Sequence, residues 1–287
     1  MLTIDRLSLS YGSREILQDV TLDLAAGQLT SILGVNGSGK STLLKAMAGL
    51  LKPVAGTIRV DNCNLAAMSR DEIARKIGYM PQASNGIAST VFDTVLLGRK
   101  PHIVWRASEH DLQVVRDILI QLELADYALR STTELSGGEL QKVIIARALA
   151  QEPRILLLDE PISHLDVRNQ LETMALLQRI ARQLGLVVVV VIHDLSMAIR
   201  FSDRFAMLRQ GTIHASGGRE VITPETIHAV FHIEAAIHEI GGVPIVVPFP
   251  HHHALHDREL HSHEGLPGRH DEAVIKKPMI SPGGKGP

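Results

Sequence analysis

The chain has 287 residues, with 29 Lys and Arg against 31 Asp and Glu, 45% hydrophobic residues and one cysteine, Cys63. A formal charge of −2 leaves no basic face for following a nucleic-acid backbone, so no nucleic-acid partner is expected. A lone cysteine excludes an internal disulfide, and the longest nearly apolar run, Leu184 to Ile192, is far shorter than the roughly 20 residues of a spanning helix.

Nothing at the N-terminus reads as a secretory leader, so the expected location is cytoplasmic, with any membrane association made through a partner. Aromatics are only 3%, which together with abundant Val, Leu, Ile and Ala points to an aliphatic α/β interior. Residues 2–9 alternate apolar and polar as a half-exposed strand does, and residues 29–33 form a short apolar strand ending at Gly34. Helical spacing follows over 41–50, with Gly49 and Pro53 as stop signals, then a strand over 56–60. The stretch 84–140 reads as a mostly helical insertion, its clearest helix at 109–125. Beyond it come a helix at 140–150, a buried strand at 154–158, a helix at 168–184 and a β-branched central strand at 187–192. Polar residues close both later strands, and ligands of open α/β sheets bind at that edge. Periodicity fades after Pro250, so residues 251–287 are expected to form a mobile His-rich tail.

Three motifs carry chemistry. Gly34-Val35-Asn36-Gly37-Ser38-Gly39-Lys40-Ser41-Thr42 fits G-x-x-x-x-G-K-[ST] between a strand and a helix, where backbone amides and the helix N-terminus cradle phosphates. Lys40 then holds the β and γ phosphates, Ser41 ligates Mg²⁺ and Thr42 lies near the α phosphate. Ile155 to Pro161 places Asp159 and Glu160 at the end of a buried strand. Asp159 suits the Mg²⁺ shell, and Glu160 suits deprotonation of an attacking water. Leu135-Ser136-Gly137-Gly138-Glu139 precedes a helix, so Ser136 and the amides of Gly137 and Gly138 form a second anion site.

In this order the three motifs resemble the ATP-binding cassette (ABC) ATPases over residues 2–250. The resemblance implies a P-loop α/β core with a mixed sheet, an N-terminal antiparallel β subdomain and an inserted α-helical subdomain. It implies that residues 1–250 form the nucleotide-binding domain, using ATP and Mg²⁺. By resemblance, Tyr11 stacks on adenine, Gln82 reaches metal and water, and His193 contacts the γ phosphate. Ser163 and Asp166 match a loop that crosses the dimer interface. The metal site implied is Ser41, Gln82 and Asp159. Because the chain has one set of motifs, a homodimer or a second cassette is required, with Ser136 and Gly137 of one subunit completing the site on Lys40 of the other. Ile162 and Val35 depart from the usual Thr and Pro without touching the acidic pair or the loop's backbone.

Residues 91–105 together with SGGELQKVIIARALAQEP resemble the importer ATPases for iron–siderophore, haem and cobalamin. That subfamily docks on transmembrane permease subunits at the cytoplasmic face, with a periplasmic or extracellular substrate-binding protein acting indirectly; Val91 to Arg99 is the segment expected to meet the permease. Ten of the fifteen histidines lie between His228 and His270, a composition suited to transition metals but without the spacing of a closed site. The rival readings are a zinc or manganese importer ATPase, a non-transport ABC ATPase, and a metal-binding accessory protein.

Overall fold

The computed structural model describes residues 1–82 and 88–249. In chain order the elements are β1 (Leu2–Tyr11), β2 (Arg14–Leu24), β3 (Gln28–Leu33), α1 (Lys40–Met47), β4 (Ala55–Val60), β5 (Cys63–Asn64), α2 (Arg70–Lys76) and β6 (Ile77–Met80). There follow α3 (Val91–Leu96), α4 (Glu109–Gln121), α5 (Gly137–Leu149), β7 (Ile155–Asp159), α6 (Val167–Leu184), β8 (Val187–Val191) and α7 (Leu195–Phe201). The described chain closes with β9 (Arg204–Arg209), β10 (Thr212–Gly217), α8 (Pro224–Phe231), β11 (Glu234–Ile240) and β12 (Val243–Phe249).

The central sheet runs β10-β9-β3-β8-β7-β6. Its strands are parallel except β10, which pairs antiparallel with β9. Five consecutive valines form β8, all of them buried. Val188 and Val190 join the apolar cluster on one face, while Val187, Val189 and Val191 join the cluster on the other. A strand covered on both faces has no solvent side to mark with polar residues, which is why its sequence does not alternate. A second sheet, β2-β1-β4-β5, is antiparallel and forms the N-terminal subdomain. The α/β architecture with a mixed sheet therefore stands as expected.

The helical lobe is built from α3 and α4 against α5. Ser108 and Asp111 form a capping box that starts α4, and Ser136 with Glu139 does the same for α5. This cap sets the start of α5 at Gly137, earlier than the Leu140 that periodicity suggests, because satisfying the first-turn amides outweighs the poor helix propensity of two glycines. Among the described residues, Arg99 is the largest fully buried side chain. Its Nε donates to Asp111 Oδ1 at 2.9 Å, and its Nη1 donates to the Ala150 carbonyl at 2.8 Å and to Glu152 Oε2 at 2.6 Å. One guanidinium thus ties the chain after α3 to the start of α4 and the end of α5.

That packing fixes which side chains of Val91 to Arg99 reach the surface. Val91, Thr94, Val95, Gly98 and Arg99 are buried, Phe92 and Leu96 are half-buried, and Asp93 and Leu97 are exposed. Five of the nine residues therefore belong to the core of the helical lobe, and Phe92, Asp93, Leu96 and Leu97 are the side chains this segment presents at the surface. Among the described residues, no helix is long and apolar enough to cross a membrane. The expected His-rich tail, residues 251–287, lies outside the described residues.

Candidate functional site

Four parallel strands deliver their following residues to one edge of the sheet. Gly34 follows β3, Gln82 lies two residues beyond β6, Asp159 ends β7 with Glu160 next, and His193 comes two residues after β8. In-register pairing of β7 with β8 and of β8 with β3 holds these positions level.

The loop from Gly34 to Gly39 wraps the start of α1. Gly34 has φ +153° and Gly39 has φ +105°. A Cβ at Gly34 would overlap the Leu208 carbonyl oxygen, and one at Gly39 would lie 2.9 Å from Leu17 Cδ2. Both positions therefore require glycine on conformational and steric grounds. Gly39 caps α1 without a side-chain bond, and α1 has no acidic residue in its first turn. Its leading amides remain uncapped by side chains and add their partial positive charge to the loop.

Lys40 is buried, its Nζ donating to the carbonyls of Gly34 at 2.8 Å and Val35 at 2.9 Å. Burial pulls its pKa down, and the carboxylates of Glu160 and Asp159 oppose that shift. Ser41 Oγ donates to Asp159 Oδ1 at 3.0 Å. Burial raises the pKa of Asp159 and neighbouring Glu160 adds to it, while the Ser41 bond, Lys45 and Lys40 work the other way. A hydroxyl and a carboxylate in contact, with the Gln82 amide on the same cleft, give an oxygen donor set of the kind Mg²⁺ takes beside phosphates.

Glu160 is the point where the other predicted groups converge. His193 Nε2 lies 2.7 Å from its Oε1, and Gln82 Nε2 donates to its Oε2 at 2.8 Å. Its backbone has φ +52°, a left-handed conformation that a residue with a Cβ adopts at a cost and that eight other non-glycine residues share among those described. The Glu160 amide donates to the Val191 carbonyl at 3.0 Å, which anchors that turn to β8.

A cleft of about 310 Å³ is lined by Asn36, Gly37, Gly39, Lys40, Ser41, Thr42, Gln82 and Glu160. Ser38 and Gly34 lie beneath it in the buried part of the loop. Ser136, Gly137 and Gly138 are not among its walls; they begin α5, and Gly137 lines a neighbouring cleft of about 420 Å³ that shares Gln82 and Glu160. Tyr11 stands exposed at the end of β1, outside the phosphate cleft. The chain alone thus brings together the Gly34–Gly39 loop, the acidic pair, Gln82 and His193, with Gly137 on the neighbouring cleft and Ser136, Gly138 and Tyr11 lining neither.

Sequence reasoning missed two features. The strained backbone of Glu160 has no signal in residue types. The Arg99 network was hidden because a buried arginine reads as a surface residue unless its acidic partners are known. Gly34→Ala is expected to abolish nucleotide binding through its overlap with Leu208. Gly37→Ala, whose Cβ meets nothing within 4 Å, is expected to keep binding and lose only about 1–2 kcal/mol of stability for its left-handed backbone. Titration with a fluorescent ATP analogue and thermal melts on both variants distinguish the two effects; equal binding losses would contradict them.

The family model for ABC transporters matches residues 17–163. The chain is 52% identical over 248 residues to the uncharacterized ABC transporter ATP-binding protein MJ0089 of Methanocaldococcus jannaschii, covering 86% of this chain and 98% of that one. It is 39% identical over 253 residues to the cobalamin import ATP-binding protein BtuD of Halobacterium salinarum, covering 87% of this chain but 64% of that longer protein. It is 38% identical over 242 residues to the iron(3+)-hydroxamate import ATP-binding protein FhuC of Bacillus subtilis, covering 82% and 89%. Among solved structures, an inward-facing transporter described as of the metal-chelate type superposes with TM-score 0.76 at 32% identity, covering 87% of this chain and 97% of that one. The cassette MJ0796, solved as a dimer in a post-hydrolysis state with ADP and Pi, superposes with TM-score 0.66 at 32% identity, covering 76% and 99%.

Proposed function

The chain belongs to the ABC transporter family and is an ATPase of that family, and from that premise we propose that it energises import of iron–siderophore, haem or cobalamin. In this reading two copies bind transmembrane permease subunits at the cytoplasmic face of the membrane, and a substrate-binding protein outside the membrane delivers the cargo. Relatives named for cobalamin and iron(3+)-hydroxamate import support the cargo class. The observation that carries the catalytic half is the convergence of Gln82 and His193 on Glu160 at the mouth of the phosphate loop.

The chemistry follows from these groups. Backbone amides of the Gly34–Gly39 loop and the Lys40 ammonium bind the β and γ phosphates, releasing Lys40 from its two carbonyl partners. Ser41 and Asp159, with Gln82, would hold Mg²⁺. That ion, when bound, neutralises phosphate charge during transfer. Glu160 accepts the proton of the attacking water, and His193 and Gln82 hold its two carboxylate oxygens in place for that step. Tyr11 offers an exposed ring for adenine. In the dimeric reading a second subunit supplies Ser136, Gly137 and Gly138 to the γ phosphate, and their place outside the walls of the Lys40 cleft in the single chain supports this. ATP binding closes the pair and loss of phosphate reopens it, the movement that drives the permease.

Uptake of labelled ferric siderophore, haem, cobalamin and zinc by cells lacking this protein tests the cargo assignment. Loss of one iron chelate or corrinoid, restored by the wild-type gene, is the expected result. Loss of zinc uptake alone, or of none of the four, would overturn the assignment and leave the ATPase without that role.

A further inference from the structure

The second glycine of LSGGE has a structural task inside its own subunit. Gly138 is buried at the start of α5, and a Cβ there would overlap Asn169 Oδ1, with the amide nitrogen at 3.0 Å. Asn169 lies in the first turn of α6. Its backbone amide donates to Asp166 Oδ1 at 2.8 Å, and its Nδ2 donates to Asp166 Oδ2 at 3.0 Å. Asp166 ends the loop that leaves Glu160. In the same loop, Leu165 Cδ2 would lie 3.7 Å from a Cβ on Gly137, and the Ile162 carbonyl accepts from Gln170 Nε2 at 3.2 Å. The side chain of Asn169 is therefore clamped between the cap of α6 and the bare backbone of Gly138.

We propose that Asn169 is a positioning residue that locks the LSGGE helix start to the loop following Glu160. The inference rests on the dimeric reading above, in which Gly137 and Gly138 act on the partner's nucleotide and Glu160 on the subunit's own. One subunit then carries a rigid link between the two nucleotide sites. A shift of the LSGGE amides on engaging one γ phosphate moves Asp166 and, through it, the loop beside Glu160 of the other site. The contact is discrete and tightly packed, the kind of element that transmits a displacement.

The test uses full-length protein in a Glu160→Gln background for dimer formation and in the wild-type background for turnover. Asn169→Ala is expected to leave ATP binding by the monomer unchanged, to raise the ATP concentration needed for dimerisation about tenfold, and to bring the Hill coefficient of hydrolysis towards 1. Gly138→Ala is expected to be the more damaging single change. Because the two residues meet, Gly138→Ala combined with Asn169→Ala should match Asn169→Ala alone and not show the product of the two defects. Asn169→Ser serves as a second, milder variant, with circular dichroism confirming that each protein is folded. Unchanged cooperativity in both Asn169 variants, or strictly multiplicative defects in the pair, would overturn the inference. Failure of the parent Glu160→Gln protein to dimerise would instead overturn the dimeric reading on which it rests.

Discussion

Replacing Glu160 with glutamine is expected to lower ATP turnover by about 10³-fold while leaving ATP binding intact, the loss typical when a positioned general base is removed. The expectation comes from geometry. Both carboxylate oxygens of Glu160 are held, one by His193 at 2.7 Å and one by Gln82 at 2.8 Å, so the side chain has no freedom to be replaced by a neighbour. The Asp159 carboxylate accepts from Ser41 and is not among the residues that line the cleft with Glu160, so it is not placed to take over as base. Glutamine keeps the size of the side chain but has no site for the proton. Phosphate-release assays at saturating ATP and Mg²⁺, beside nucleotide titrations, separate kcat from affinity. Wild-type turnover in the variant would remove Glu160 from the mechanism; a loss of affinity equal to the loss of rate would make its role one of binding.

Arg99→Met is expected to destabilise the protein by about 3–5 kcal/mol, because it leaves Asp111 buried without its cation. Arg99 and Asp111 are both buried, and their contact at 2.9 Å joins the helical lobe at its base. The Asp111 carboxyl is held down to about 2 by bonds from the Ser108 hydroxyl and amide, with Arg99 adding to the effect. A carboxylate whose folded pKa lies below its ordinary 3.8 contributes stability that is fully present above that value. That contribution is lost as the pH falls from about 4 towards 2. Urea unfolding at pH 7 measures the first effect, and wild-type unfolding across pH 2 to 6 measures the second. An Arg99→Met protein as stable as wild type would contradict the joint; so would an Asp111→Asn protein whose acid profile matches wild type, since this carboxyl would then have no share in it.

Much of the site was legible because its residue types are forced by chemistry. Phosphate binding demands glycines beside a lysine, and the parallel strands are marked by apolar runs ending in acid. The β7 and β8 strands were readable since both are short, fully buried and followed by polar residues. Other elements were not. In β2, two consecutive exposed residues, Gln18 and Asp19, interrupt the alternation at a register shift against β1, leaving only Val20 to Leu24 with the regular pattern. The β11–β12 hairpin turns at Gly241 and Gly242, both at positive φ, and that pair between apolar runs was a usable signal. Resemblance singled out Val91 to Arg99 as a segment but could not say which of its residues face solvent; the structure buries five of the nine and leaves Phe92, Asp93, Leu96 and Leu97 at the surface. Asn169 carried no signal at all, because its meaning depends on a glycine on another helix.

Under the proposed function, one chain holds halves of two different nucleotide sites, which become complete only when two chains meet. Light scattering of the Glu160→Gln protein with and without ATP and Mg²⁺ tests it most directly. The expected result is a monomer without nucleotide and a stable dimer with ATP, lost when Ser136 is also replaced by bulky Phe. A protein that binds ATP yet stays monomeric, or one whose dimer forms equally well without ATP, would contradict it.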